Sequence, residues 1–131
     1  MKKTLTTLLS CLLLVTTAWA DVPFRNHRYD AFKALKVNSD NIVFVGNSIT
    51  NMHEWCEAFG NPKVLNRGNS GGLSGEIFEN VESYIAGKPA KMFLMIGTND
   101  IGTSGFNNSA YIAGKIRSIV KRVKAESPNT E

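Results

Sequence analysis

The sequence predicts an α/β fold built on a parallel sheet, and three observations carry that expectation. Ile42-Val43-Phe44-Val45 and Met92-Phe93-Leu94-Met95-Ile96 are apolar throughout rather than alternating, as strands buried on both faces are. The stretches between such runs place apolar residues at helical spacing. Each run then ends in Gly, Asn, Ser or Asp, the residues of turns and helix starts. Strands alternating with helices imply right-handed crossovers, hence parallel strands with helices on both faces.

In chain order, residues 21–40 read as a mixed, polar lead-in with a short helix around Tyr29 to Leu35. Strands are expected near residues 42–46, 63–66 and 91–96. After Ser48, the residues Met52, Trp55, Cys56 and Phe59 recur at helical spacing, and Gly60-Asn61-Pro62 stops that helix. Val64-Leu65 is the short second strand, followed by a glycine-rich loop from Gly68 to Gly75. Ile77, Phe78, Val81, Tyr84 and Ile85 mark the next helix, which ends at Gly87 and before Pro89. A last helix is capped by Ser109, buries Ile112, Ile116, Ile119, Val120 and Val123, and stops at Pro128. The order is β-α-β-α-β-α. Three strands make a thin sheet, and in such folds another strand follows the last helix. Residues 41–131 are therefore read as the N-terminal portion of a larger domain.

The chain has 131 residues, one domain at most. Residues 1–20 have the form of a secretory signal peptide: a positive start at Met1-Lys2-Lys3, an apolar stretch from Leu5 to Val15, and Ala18-Trp19-Ala20 as a cleavage site. That implies a secreted or periplasmic protein cut after Ala20. The alternative of a lipid anchor on Cys11 fits poorly, because the apolar run continues past the cysteine. No later segment is apolar enough to cross a membrane. Without Lys2 and Lys3, 13 basic side chains face 11 acidic ones, which is no nucleic-acid footprint. Cys56 would be left without a disulfide partner and is read as a half-buried helical thiol. No Cys/His cluster points to a metal, and no motif calls for a cofactor. Lys115, Arg117, Lys121, Arg122 and Lys124 are read as the solvated face of the last helix.

The chemistry sits in three turns, Gly46-Asn47-Ser48-Ile49-Thr50, Asn66-Arg67-Gly68-Asn69-Ser70-Gly71 and Gly97-Thr98-Asn99-Asp100. Each follows a strand candidate, so all three fall at carboxyl ends of strands, where open parallel sheets bind ligands. Ser48 stands at the start of a helix, whose free N–H groups and positive dipole end suit a developing oxyanion. Asn99 can donate a side-chain amide to the same anion, and Gly71 a bare backbone N–H. Taken singly, each segment is an ordinary strand-to-helix turn. Their occurrence at successive strand ends is what points to a site.

These segments resemble blocks one, two and three of the SGNH hydrolases, the GDSL-type esterases and lipases, over roughly residues 41 to 128. The resemblance implies a flavodoxin-like three-layer α/β/α sandwich, of which about three strands are present. It implies Ser48 as nucleophile and oxyanion donor, Gly71 as second backbone donor and Asn99 as side-chain donor; Gly68 is the nearby competitor to Gly71. Two departures stand out. The first block reads Gly-Asn-Ser where Gly-Asp-Ser is usual. The family's base, a His in an Asp-x-x-His motif near the end of the domain, has no counterpart: only His27 and His53 occur, and neither has an Asp three residues earlier. The resemblance implies an ester hydrolase truncated before its base, acting on a small-molecule or glycan ester. The Gly-Asn-Ser-Ile-Thr and Asn-Arg-Gly segments are similar to those of bacterial carbohydrate esterases, sialate O-acetylesterases among them. The rival readings are a non-catalytic remnant or carbohydrate-binding module, and a nucleotide- or phosphate-binding module on the loop of Gly68, Gly71, Gly72 and Gly75. The last lacks both Gly-x-Gly-x-x-Gly and Gly-Lys-Ser/Thr.

Overall fold

Three parallel strands form one open sheet in the order β2-β1-β3, with β1 at Ile42–Gly46, β2 at Val64–Gly68 and β3 at Lys91–Met95. This computed structural model describes residues 24–104 and 108–131, so the expected signal peptide lies outside the described residues. The register pairs Ile42 with Val64 and Lys91, and Gly46 with Gly68 and Met95. All three carboxyl ends therefore finish level. This is the α/β fold the apolar runs imply, and it fits an incomplete flavodoxin-like sandwich.

Alternation along β1 sorts its side chains between two faces. Val43 and Val45 are fully buried against Tyr29 and Phe32 of α1 (residues 24–34), Ile77 of α4 (Ser74–Glu79), Tyr84 and Ile85 of α5 (Glu82–Ile85), and Ile119 and Val123 of α7 (Ser109–Glu126). The other face carries Phe44. Its ring stacks on Trp55 at 4.2 Å and on Phe93 at 4.8 Å. Among the described residues, only the short helices α2 (Ser48–Asn51) and α3 (Trp55–Ala58) attend that face, and Phe93 keeps 51% of its surface exposed.

Several elements differ from expectation. The helix anticipated after Ser48 is two single turns, α2 and α3, separated at Met52 to Glu54. Its supposed inward stripe mostly faces out: Met52 is 78% exposed, Phe59 60%, and Cys56 is exposed rather than half-buried. Trp55 alone turns in, and its indole N–H donates to the Thr50 carbonyl at 2.8 Å. The next expected helix is also divided. Asn80 ends α4, its side chain donating to the Glu76 carbonyl, although Ile77, Val81, Tyr84 and Ile85 are buried as anticipated. Ser109 begins α7 instead of capping it; Asn108 holds the cap position without a side-chain bond. Val120 lies off the buried stripe, 48% exposed. Lys115 is not simply solvated: its ammonium sits 5.0 Å over the Phe78 ring and 5.4 Å over that of Tyr111. After α7 the chain returns to β3. The Glu131 N–H donates to the Ala90 carbonyl at 3.0 Å, and the Met92 N–H donates to the Glu131 carbonyl at 2.9 Å, a parallel pairing on the edge of β3 away from β1.

Candidate active site

The level strand ends set the three turns side by side. At the first, the chain leaves β1 through Gly46, where a Cβ would lie 2.2 Å from Thr50 Oγ1 and 2.6 Å from the Met95 carbonyl. Only glycine permits so sharp an entry into α2. Asn47 is buried and caps α2, its Oδ1 accepting the Ile49 N–H at 3.0 Å. The amide thus caps the helix without burying a charge. Ser48 opens the helix and is half-buried. Among the described residues neither its hydroxyl nor its N–H has a hydrogen-bond partner.

The second turn is bound to the first by backbone and side chain. The Asn69 N–H donates to the Gly46 carbonyl at 2.9 Å, and Asn51 of α2 donates its side-chain amide to Ser70 Oγ at 3.0 Å. Gly68 passes directly against α2, where a Cβ would meet the Asn51 nitrogen at 2.2 Å. The Gly72 N–H then closes onto the Asn69 carbonyl at 3.0 Å, with Gly71 between them at φ +74°. A positive φ at the third residue of a four-residue turn marks the type II class, which favours glycine there. Gly71 is exposed, and its N–H has no partner among the described residues.

The third turn reaches the second through Asn99 and Asp100, in the first turn of α6 (Thr98–Ser104). Asn99 donates its side-chain amide to the Gly72 carbonyl at 3.0 Å, which leaves the second amide hydrogen for another acceptor. Asp100 is buried. Its carboxylate accepts the Ser74 N–H at 3.1 and 3.0 Å and the Ser74 hydroxyl at 2.6 Å, so it holds the start of α4 and carries a charge-assisted bond across the turn. A cavity of about 370 Å³ opens beside these turns, lined by Leu73, Glu76, Asp100, Thr103, Asn108 and Tyr111 among others.

Bonds therefore link the turn of Ser48 to that of Gly71, and the turn of Gly71 to that of Asn99. Neither histidine joins them. His53 is exposed, its ring centroid 4.3 Å from that of Trp55 in an edge-on arrangement, and His27 is exposed on α1. Two contributions carry no role in the sequence reading, although Asp100 falls within the third segment. Asp100 acts on a serine 26 positions away, and α1, read as a lead-in, supplies Arg25 and Arg28 to the Gly68–Gly71 loop. Chemically, the arrangement offers one hydroxyl and three N–H donors without partners among the described residues, all at the carboxyl end of the sheet.

No protein-family model and no curated protein matches this chain. Solved structures do. It is similar to a Streptococcus pneumonia protein named as a platelet activating factor, at 29% identity and TM-score 0.77, over 93% of this chain and 58% of that one. It is similar to a Bacteroides fragilis protein named as an acylhydrolase, at 28% identity and TM-score 0.65, over 77% of this chain and 52% of that one. A Parabacteroides merdae protein named as a GDSL-like lipase shares the fold, at 24% identity and TM-score 0.55, over 74% of this chain and 60% of that one. The chain thus spans about half the length of these structures.

Proposed function

We propose that this chain carries the nucleophile and oxyanion hole of an SGNH, or GDSL-type, serine ester hydrolase. The observation that carries the reading is the set of free donors at the level strand ends: the Ser48 N–H, the Gly71 N–H and one hydrogen of the Asn99 amide. The likeness to structures named acylhydrolase and GDSL-like lipase supports it. Ser48 Oγ attacks the acyl carbon, the carbonyl oxygen takes up the charge, and the three donors stabilise it. The group that took the Ser48 proton gives it to the departing alkoxide, and water, activated by the same group, then releases the acyl group as a carboxylic acid and restores the Ser48 hydroxyl.

The reaction needs a base to take the Ser48 proton, and a histidine following an Asp-x-x-His pattern is not among the residues of this sequence. The base is proposed to come from further chain, as the greater length of the similar structures allows. A carbohydrate ester, with acetate as acyl group, is the substrate class we favour. It rests on the resemblance of the Gly46–Thr50 and Asn66–Gly68 segments to those of sugar deacetylases. Secretion or periplasmic export fits such a substrate and rests on the form of residues 1–20.

Without its base the serine is a weak nucleophile, and members of such a unit lose activity together. The 131-residue chain is expected to hydrolyse p-nitrophenyl acetate no faster than its Ser48→Ala variant. A longer chain containing an Asp-x-x-His segment is expected to hydrolyse it in a Ser48-dependent manner. Turnover by the short chain that vanishes in Ser48→Ala would mean a base lies within this sequence, and His53→Ala would be the next variant. A longer chain whose activity ignores Ser48→Ala would end the hydrolase reading.

A further inference from the structure

The Gly71 N–H is useful only if the exposed turn that carries it keeps still. Glycine has no side chain to anchor it and tolerates either sign of φ, so the peptide between Ser70 and Gly71 can flip between type II and type I forms at little steric cost. A flip turns the Gly71 N–H away from where it pointed. Something outside the turn must hold it.

Helix α1 holds both ends of the turn, at the peptide that precedes Asn69 and at the one that follows Gly71. Arg25 donates Nη1 to the Gly71 carbonyl at 3.0 Å, and Arg28 donates Nε to the Gly68 carbonyl at 2.6 Å. Asn69, fully buried between them, returns a bond from Nδ2 to the Arg25 carbonyl at 2.9 Å. Arg25 also packs against the Gly71 Cα: a Cβ there would lie 3.2 Å from Nη1. The guanidinium pairs electrostatically with Glu76, Nε lying 3.4 Å from Oε1 without a hydrogen bond. Glu76 Oε2 accepts the Leu73 N–H at 2.9 Å and the Tyr29 hydroxyl at 3.4 Å. The ring closes from α1 through the loop to α4 and back.

We propose that Arg25 and Arg28 are positioning residues, a two-arginine clamp on the Gly68–Gly71 loop that aims the Gly71 N–H into the oxyanion hole. The inference rests on the oxyanion-hole reading above. Arg25 touches the carbonyl and Cα of Gly71 and not its N–H, so it acts through the turn rather than on a reacting atom. A planar, rigid guanidinium suits the task better than a lysine, which offers a mobile point charge.

The test uses the whole chain labelled with 15N and titrated with methylphosphonate, a tetrahedral oxyanion. In the wild type, the backbone amides of Ser48 and Gly71 and the side-chain amide of Asn99 are expected to shift together. In Arg25→Ala, the Gly71 response is expected to collapse while those of Ser48 and Asn99 persist, and affinity to fall roughly threefold to tenfold, the loss of about one hydrogen bond. Arg25→Lys, which retains a donor, is expected to fall between the two and keeps the test open should the alanine variant unfold. A wild-type Gly71 response in both variants would overturn the clamp. So would an equal loss at all three amides in folded protein, which would mark a general structural role. Silence of all three amides in the wild type would instead overturn the oxyanion-hole reading, and the clamp with it.

Discussion

Gly71 is constrained twice: its φ of +74° disfavours any L side chain, and its Cα lies against Arg25. Gly71→Ala is therefore expected to destabilise the chain by about 1–2 kcal/mol, the usual cost of the left-handed region, read as a lower urea midpoint at unchanged slope. Asp100 makes a different argument. It lies buried with both oxygens on Ser74, and Asp100→Ala would leave a buried N–H and hydroxyl unpaired. A loss of about 1–3 kcal/mol is expected. Asp100→Asn keeps one acceptor but points an NH2 at a donor, so it should recover only part of that loss. Equal midpoints for the alanine and asparagine variants would show that the acceptor is not what matters.

Among the elements, α3 packs beside β2 and reaches β1 through one aromatic stack. Phe44 lies between Trp55 and Phe93 and also meets Phe59 at 5.9 Å. Phe44→Ala is expected to cost about 2 kcal/mol, less than for a fully enclosed ring, and to move Trp55 emission to longer wavelength as the indole is released. The strands were legible because continuous apolar runs have few other uses, and the turns because Gly46, Asn47, Ser48 and Asn99 are typical of strand-to-helix junctions. The stretch after Ser48 misled because Met52, Cys56 and Phe59 obey the helical period while the backbone does not. Gly68 runs against Asn51, and the chain turns at Met52 instead of continuing the helix. Arg25 and Arg28 were illegible for another reason. Their acceptors are carbonyls 46 and 40 residues away, and in a polar segment two arginines look like solvated surface.

The whole molecule shares one core layer, and its two buried tyrosines couple stability to alkaline pH. Tyr84 and Tyr29 stand on either side of Phe32, with ring centroids 6.1 and 6.3 Å from it. Burial pushes both hydroxyls well above the ordinary tyrosine value, and the Glu76 carboxylate adds to the rise at Tyr29. In the unfolded chain they would ionise near pH 10, at about the ordinary value, whereas the folded chain keeps both protons. Above about pH 10 the unfolded state therefore binds fewer protons than the native state, and stability falls as pH rises. Below it the two states hold the same tyrosine protons and the contribution is flat. The urea midpoint is expected to drop steeply above about pH 10, with the phenolate absorbance of Tyr29 and Tyr84 appearing only as the chain unfolds. Tyr84→Phe isolates one of these two groups. The Tyr84 hydroxyl is buried without a hydrogen-bond partner among the described residues, so removing it is expected to leave neutral-pH stability unchanged or slightly raised. The same variant should lose stability less steeply at high pH than the wild type. Identical slopes for the two proteins would mean that Tyr84 ionises freely in the folded chain, and that this side of the core is open to solvent.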